Sequence, residues 1–195
     1  SESEDSRFEA AEGIMQCAYR LNDKEKTLNY AEKVINSSSA KSGQRATAYF
    51  YSAKVALDNN QYSKALERFQ KVIPLADNEQ AAESRYRVAE CLFKQNNYDG
   101  ALTAVNDANN NNSSFDYWIA KGVILISDIY YARGDYFNAK APLEALLENY
   151  QGDKDLLAEA RAKLNTIRSK ESASLKLQSE NSERIELEWI PDSNN

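Results

Sequence analysis

Carboxylate side chains are the most abundant groups in this sequence that could carry out acid–base chemistry. Aspartate and glutamate together number 30, and Asp128 with Asp135 and Glu144 with Glu148 are examples of close pairs. The chain contains no histidine, which excludes Ser-His-Asp and Cys-His nucleophile systems, histidine general bases and histidine-ligated metal sites. Acidic residues on helical segments are normally solvated. We therefore identify no catalytic residue and predict that the protein is not an enzyme.

The sequence also lacks the patterns that bind metals and cofactors. No Gly-rich phosphate-binding motif is present, and the acidic segments at 22–23 and 153–155 lack the alternating oxygen ligands of a calcium loop. Cys17 and Cys91 lie 74 residues apart, which fits neither a CxxC motif nor a disulfide framework. Their type and separation indicate two small buried hydrophobic residues. We predict no metal and no cofactor.

Charge and hydropathy exclude two further classes of partner. The 24 basic and 30 acidic residues give a net charge of −6, so the electrostatic footprint of a nucleic-acid-binding protein is missing. The longest apolar run covers only residues 123–126, which is too short to cross a membrane. The first residue is Ser1 and not methionine, which favours a mature or excised fragment whose targeting signal is not visible.

The elements that must position any functional residue follow from an internal repeat. A Tyr-x-x-Ala core recurs three times at offsets of 36 and 38 residues, at Tyr62 and Ala65, Tyr98 and Ala101, and Tyr136 and Ala139. Twelve residues before each alanine stands another small residue, namely Ala53, Ala89 and Ser127. Two small residues at a fixed spacing predict two helices that pack closely at those points in every unit.

The residues around these small pairs have helical periodicity. Tyr49, Ala53 and Ala56 recur at i, i+4 and i+7, and a second periodic run follows the break at residues 58–60. Each unit is therefore predicted to be a helix, a tight turn and a second helix. A degenerate earlier copy fits at residues 8–41, with Met15 and Thr27 at the positions of the two small residues. Glycine and proline total only nine residues, which argues against sandwiches and barrels.

With these residues, the chain resembles the tetratricopeptide repeat (TPR) proteins, whose 34-residue unit carries small residues at its eighth and twentieth positions. The family's large apolar residue four positions later is present as Phe69, Val105 and Leu143. The resemblance implies an all-α, right-handed α-solenoid of tandem helix-turn-helix repeats, with units at about 8–41, 46–79, 82–115 and 120–153. The family's proline near the unit end is missing, and Pro142 indicates that the last second helix begins at about Ala141.

The two ends of the chain depart from the repeat pattern. Asp153 can cap a C-terminal helix over 155–168, which we interpret as the solvating helix that repeat arrays need, with Lys163 facing outward. Residues 169–195 are predicted to be a polar linker, mobile or weakly helical, followed by a short extended apolar tail containing Ile185, Leu187 and Trp189. Residues 1–7 are expected to be a disordered acidic end.

In TPR arrays, the second, fifth, ninth and twelfth positions of each first helix face the ligand in a concave groove. The resemblance therefore implies a groove lined by Thr47, Phe50, Lys54 and Leu57; by Glu83, Tyr86, Glu90 and Phe93; and by Lys121, Ile124, Asp128 and Tyr131. All fifth- and twelfth-position residues are apolar or aromatic, which favours an apolar strand or helix as guest, since burying such a side chain contributes about 1.5 to 3 kcal/mol. The alternative is that some of these side chains pack between units.

The ninth positions exclude one known mode of TPR recognition. One subclass of the family grips a C-terminal carboxylate with lysines and asparagines at these positions. Here they are Lys54, Glu90 and Asp128, and the two acidic residues would repel an anionic chain end.

These features predict a non-catalytic, protein-binding scaffold that holds a peptide or a segment of a larger assembly. The alternative is a structural spacer within a longer cell-envelope protein, without a dedicated ligand. Residues 117–150 resemble the terminal repeats of long envelope-associated TPR proteins of Gram-negative bacteria, which implies a periplasmic or envelope location. The apolar tail with Ile185, Leu187 and Trp189 is predicted to dock on a repeat surface, in its own groove or in that of a neighbouring molecule. The alternative is a disordered chain end.

Overall fold

The protein is helical throughout the part of the chain that can be described. The computed structural model describes residues 2–188, and the side chains of residues 6–179. Within residues 2–188 it contains nine α-helices and no strand: α1 (Glu2–Arg20), α2 (Lys24–Ile35), α3 (Ser42–Asp58), α4 (Tyr62–Val72), α5 (Glu79–Lys94), α6 (Tyr98–Asn111), α7 (Asp116–Ala132), α8 (Tyr136–Asn149) and α9 (Lys154–Glu188). The predicted all-α fold class, built from tandem helix-turn-helix repeats, is confirmed.

The chain divides into two compact units, one up to Leu125 and one from Ile126 onward. In the first unit, α1, α3 and α5 each pack against the helix that follows them, and α2 and α4 also pack against the next first helix. The small residues of the repeat lie at the predicted crossing points, because Ala53, Ala65, Ala89 and Ala101 are all completely buried. Side chains with no atom beyond Cβ allow the two helices of a repeat to approach closely.

Each tight turn ends its first helix in the same way. The second residue after α1, α3, α5 and α7 has a left-handed backbone, with φ of 58° at Asn22, 56° at Asn60, 59° at Asn96 and 76° at Gly134. Asparagine and glycine are the residues that tolerate this conformation, and it closes the helix end. The next backbone N–H then bonds to a carbonyl five residues earlier, as from Asn97 to Leu92 at 3.0 Å.

The second unit contains the end of α7 with α8 and α9. The Ser127 hydroxyl donates a 2.6 Å hydrogen bond to the Ala139 carbonyl, and both residues are fully buried, so the third small pair also lies at a helix crossing. The prediction that α8 begins at about Ala141 is wrong, because the helix starts at Tyr136 and contains Pro142. Asp135 caps that start, and burial of Ala139 and Leu143 outweighs the interior proline.

The predicted terminal segments are wrong in extent. The capping helix expected over 155–168 runs from Lys154 to Glu188, so residues 169–188 are helical and 185–188 are not extended. These 20 residues contain no glycine or proline and are rich in good helix formers, and an alternating pattern forms a strand only where a neighbouring strand pairs with it. The helix α1 begins at Glu2, where a disordered end was expected, since an acidic first turn favours a helix N-terminus.

The predicted docking of the tail concerns side chains that are not described. Trp189 lies outside the described residues, as do the side chains of Ile185 and Leu187. Docking of these three residues on a repeat surface therefore stays a prediction. Within the described helices, none is both long and apolar enough to cross a bilayer.

Candidate functional site

The fifth-position residues predicted to line the groove belong to the core. Phe50 and Tyr86 are each only 5% exposed, and Ile124 is also buried. The Phe50 ring meets Phe69 edge-on with centroids 6.2 Å apart, and the Tyr86 ring lies 5.6 Å from that of Trp118. The expectation that Phe50 and Tyr86 offer free rings to a guest is wrong, because these rings fill the space between neighbouring helices.

The twelfth-position residues remain partly accessible. In the first unit, Leu57 on α3 and Phe93 on α5 are half-buried. Phe93 packs against Tyr98, with the two ring centroids 5.8 Å apart. Tyr19 on α1 occupies the equivalent position of the degenerate repeat and is half-buried too. Sequence reasoning missed Tyr19, although its place four residues after Met15 matches that of Leu57 after Ala53. Three successive first helices thus carry a partly exposed apolar or aromatic residue at the same register.

A network of paired charges lies beside these residues. The Arg87 guanidinium on α5 contacts Glu90 Oε2 at 2.7 Å and Glu83 Oε1 at 3.0 Å, and Lys54 Nζ on α3 lies 3.7 Å from the same Glu83 oxygen. Burial disfavours the Arg87 cation, but the charges of Glu90 and Glu83 outweigh it and raise the pKa of Arg87 above its ordinary value. Two cations and two carboxylates balance within this cluster.

Aromatic rings surround the two cations. Lys54 Nζ lies 5.0 Å from the ring centre of Tyr19 and 5.1 Å from that of Phe50, and the Arg87 guanidinium lies 5.5 Å from that of Tyr86. Burial and a hydrogen bond to Asp58 raise the pKa of Tyr19, so its hydroxyl is a neutral donor at physiological pH. These contacts hold the ninth-position residue Lys54 in place, and Arg87 does the same for the ninth-position residue Glu90.

The predicted site residues of the second unit lie at a separate pocket. Asp128 and Tyr131 on α7 line a pocket of about 270 Å³ with residues of α9, namely Ala162, Lys163, Thr166 and Ile167. Lys163 Nζ binds Asp128 Oδ1 at 2.7 Å, so the prediction that Lys163 simply faces outward is wrong. The ring centroids of Tyr131 and Tyr136 lie 5.5 Å apart. The pair Phe93 and Tyr98 makes the equivalent contact in the preceding repeat. The helix expected only to solvate the end of the array therefore forms one wall of this pocket.

The described residues offer contact surfaces and paired charges. No cluster of three or more cysteine, aspartate or glutamate side chains that could hold a metal occurs among them. The three second-position residues predicted in the groove are polar: Thr47 and Lys121 are half-buried, and Glu83 is buried beside its two cations. The described arrangement thus combines partly exposed apolar and aromatic side chains with a balanced set of charges.

Tandem helix pairs with small residues at their crossings define the class of α-helical repeat proteins. A family model described as anaphase-promoting complex, cyclosome, subunit 3 matches residues 23–108 and again 58–128, which together make up more than half of the chain. A tetratricopeptide repeat model matches residues 125–153. The chain belongs to the tetratricopeptide repeat proteins, which typically act as non-catalytic scaffolds for protein interactions.

Solved structures of similar fold support this assignment. BtubC (BKLC) from P. vanneervenii is similar at a TM-score of 0.70 and 13% identity, over 96% of this chain and 82% of that chain. A putative kinesin light chain from Podospora anserina with TPR-like repeats gives a TM-score of 0.66 at 11% identity, over 97% and 98% of the two chains. MamA gives 0.58 at 18% identity, over 84% and 97%. No curated protein sequence matches the chain.

Proposed function

We propose that the protein is a non-catalytic scaffold that holds a segment of a partner protein on the first-helix face formed by α1, α3 and α5. The observation that carries the proposal is the recurrence of a half-buried apolar or aromatic residue, Tyr19, Leu57 and Phe93, at one register position of all three helices. Neighbouring first helices pack against each other here, and packed helix axes lie about 8 to 10 Å apart. A guest that crosses all three helices would need about six residues in extended form.

The charges beside this row narrow the chemistry of the guest. Lys54 and Arg87 are balanced by Glu83 and Glu90, so the surface attracts neither a strongly acidic nor a strongly basic segment. Arg87 is held by two carboxylates and by stacking, whereas the Lys54–Glu83 contact of 3.7 Å is looser. We infer a guest with near-neutral charge, recognised through apolar side chains and backbone hydrogen bonds, with Lys54 as the cation best placed to meet a guest carbonyl.

Peptides selected against the full chain from a displayed random library would test this proposal. Leu57→Ala removes a half-buried side chain from the proposed face, and Leu102→Ala removes a half-buried leucine from α6, which is the second helix of its repeat. We expect Leu57→Ala to weaken binding of the selected peptides by about tenfold, in line with loss of an apolar contact, and Leu102→Ala to leave it unchanged. Circular dichroism would confirm that both variants are folded.

The second candidate function, a structural spacer without a dedicated ligand, is favoured by the burial of Phe50 and Tyr86. These side chains support the helix packing of the array and leave a shallower groove. The spacer function predicts that no displayed peptide is enriched, or that Leu57→Ala and Leu102→Ala affect the selected peptides equally. Either outcome would contradict the proposed groove.

A further inference from the structure

Buried polar atoms without hydrogen bonds are concentrated where the first half of α7, residues 116–125, packs against α5 and α6. We call this contact the α7 junction. Among the side chains that the structure describes, three nitrogen or oxygen atoms are buried without a partner: Asn109 Oδ1 on α6, Trp118 Nε1 on α7 and Arg45 Nε on α3. The Arg45 guanidinium is otherwise bonded, because its Nη2 donates to the carbonyls of Ser37 and Ser38 at 3.2 and 3.3 Å. The other two atoms belong to the α7 junction.

The neighbours of these two atoms place them in the junction. A Cβ added to Gly122 would overlap the Asn109 carboxamide, so this amide lies directly on the α7 backbone. The Trp118 side chain is only 7% exposed, and its ring lies 5.6 Å from the Tyr86 ring of α5. Trp118 and Gly122 are four residues apart and therefore share one face of α7. A buried group that makes no hydrogen bond has lost its water without compensation, which weakens the contact that buries it.

The two earlier junctions are more apolar at the same register. With Phe8, Ala46 and Ala82 counted as first positions, the twenty-seventh and twenty-eighth positions are Val34 and Ile35, Val72 and Ile73, and Ala108 and Asn109. Val34 packs in one cluster with Ala48 of α3, and Val72 packs in one cluster with Cys91 of α5. The third repeat therefore has alanine in place of valine and a carboxamide in place of isoleucine. These two positions bury less apolar surface in the third repeat than in the first two.

Both sides of the junction are held by other contacts. The loop before α7 is tied to the third repeat, because the fully buried Asn112 donates to the Ala82 carbonyl at 3.1 Å and accepts a hydrogen bond from Arg85 at 3.2 Å. The second half of α7 is bonded to α8 through the Ser127 hydroxyl and the Ala139 carbonyl, at 2.6 Å. The junction therefore lies between two parts of the chain that each have their own buried hydrogen bonds.

We propose that the α7 junction is an opening joint built into the fold. In a small fraction of molecules the first half of α7 separates from α5 and α6, while the helices from α1 to α6 stay folded. Such local openings follow the weakest contacts of a structure, and this contact buries an unbonded donor and an unbonded acceptor. The opening frees the Tyr86 ring from Trp118, so the open form presents aromatic surface that the closed form buries.

Labelling of buried thiols under native conditions measures this opening. The prediction that Cys17 is buried is wrong, because neither α2 nor α3 covers it, so the test uses the full chain with Cys17→Ser. Ala108→Cys places a thiol at the α7 junction, and the fully buried Cys91, which packs against α4, is the internal reference. A buried thiol reacts only when its surroundings open. We expect an opening constant at position 108 that is at least about tenfold larger than that at Cys91.

Two leucine substitutions on α6 test whether the unbonded amide causes the opening. Asn109→Leu has nearly the same shape as asparagine but no polar atom, so it should slow labelling at position 108 by about tenfold and leave Cys91 unchanged. Asn110→Leu makes the same change at an exposed position of α6 and is the matched control, which should alter neither rate. Circular dichroism would confirm that the labelled variants are folded.

The dependence on urea separates a local opening from complete unfolding. Opening of the junction exposes little surface, so labelling at position 108 should respond to urea more weakly than labelling of Cys91 does. Should Ala108→Cys disturb the fold, hydrogen exchange of the chain without added cysteine replaces it: the amides of residues 118–125 should exchange through a more frequent opening than those of α5, and Asn109→Leu should slow only the former. Equal opening constants at the two sites, equal urea dependence, or equal effects of Asn109→Leu and Asn110→Leu would each overturn the proposal.

Discussion

Arg87 shows how a single residue connects the core with the first-helix face. Its guanidinium lies over the Tyr86 ring and binds both Glu83 and Glu90, and Glu83 is only 8% exposed. A buried carboxylate is tolerated only when it is paired, so the two glutamates depend on this cation. The cluster was not recognisable in the sequence, because Arg87 is not at a position that TPR ligand contacts use.

We expect the substitution Arg87→Met to destabilise the fold by about 1 to 3 kcal/mol, since it leaves Glu83 without its nearest cation. Urea unfolding of the variant and of Arg161→Met, an exposed arginine of α9, would measure the difference. The double variant Arg87→Met with Glu83→Gln should recover part of the lost free energy of unfolding, because it no longer carries an unpaired carboxylate. A variant as stable as the parent would show that Lys54 alone compensates Glu83.

Glu12 on α1 provides a pH-dependent prediction. Burial raises the pKa of Glu12 above its ordinary value, partly offset by a hydrogen bond from Thr47 and reinforced by the charge of Glu9. A carboxyl whose pKa is raised in the folded state favours folding in its protonated form, so this contribution is present at low pH and is lost as pH rises through the folded-state pKa.

We therefore expect Glu12→Gln to be more stable than the parent at pH 7 by less than about 1 kcal/mol, because the group is only half-buried and solvent screens its charge, and to show no such advantage at pH 4. Thermal unfolding at the two pH values would measure this. Glu67→Gln, at an exposed position of α4, is the control that should show no pH-dependent difference. An advantage that is larger at pH 4 would contradict the sign of the argument.

The turns that join the two helices of each repeat share one backbone conformation. Asn22, Asn60 and Asn96 share a left-handed backbone with Gly134, and the residue after Asn22, Asn96 or Gly134 caps the next helix with its side chain. The turn thus ends one helix and starts the next within three residues. Its geometry sets the direction in which the second helix returns, which places the small pairs opposite each other.

We expect Asn96→Ala to destabilise the fold by about 1 kcal/mol, because a Cβ without a compensating polar group is strained at positive φ. Asn96→Gly should cost less than Asn96→Ala, since glycine adopts this conformation freely. The hydrogen bond from the Tyr98 hydroxyl to Asn96 is lost in both variants. The difference in stability between them therefore reports the backbone strain at positive φ. Chemical denaturation of the two variants gives the measurement, and equal losses would assign the effect to the side-chain bond.

For the whole molecule, the long α9 separates a part that belongs to the core from a part that does not. Leu156, Ala160, Leu164 and Ile167 are buried, whereas Leu175 and Leu177 are largely exposed. The first part closes the second unit as a capping helix. The second part, as far as its side chains are described, leaves these two leucines exposed to solvent.

Removing residues 172–195 should therefore change the melting temperature by less than about 2 °C at low concentration, the range expected for surface changes in a chain of this size. Leu164→Ala in the full chain is the contrasting change, and should cost about 2 to 5 kcal/mol because it leaves a cavity. Differential scanning calorimetry would compare the two. A large loss on truncation would mean that the segment packs against its own chain.

The amino-acid sequence by itself determined the repeat, its register and the helix pairs, because small residues at fixed spacing and helical periodicity are local signals that every copy repeats. It also indicated a scaffold, because the repeat resembles that of the tetratricopeptide repeat proteins. Only the tertiary structure decided which of the predicted groove side chains are buried and which stay accessible. Phe50 and Tyr86 are buried in the core, and Tyr19 is partly accessible at the same register position as Leu57 and Phe93. Lys163 pairs with Asp128. Burial and pairing at these positions depend on side chains of other helices, such as Phe69 for Phe50 and Asp128 for Lys163. The periodicity within one helix does not specify the space between helices.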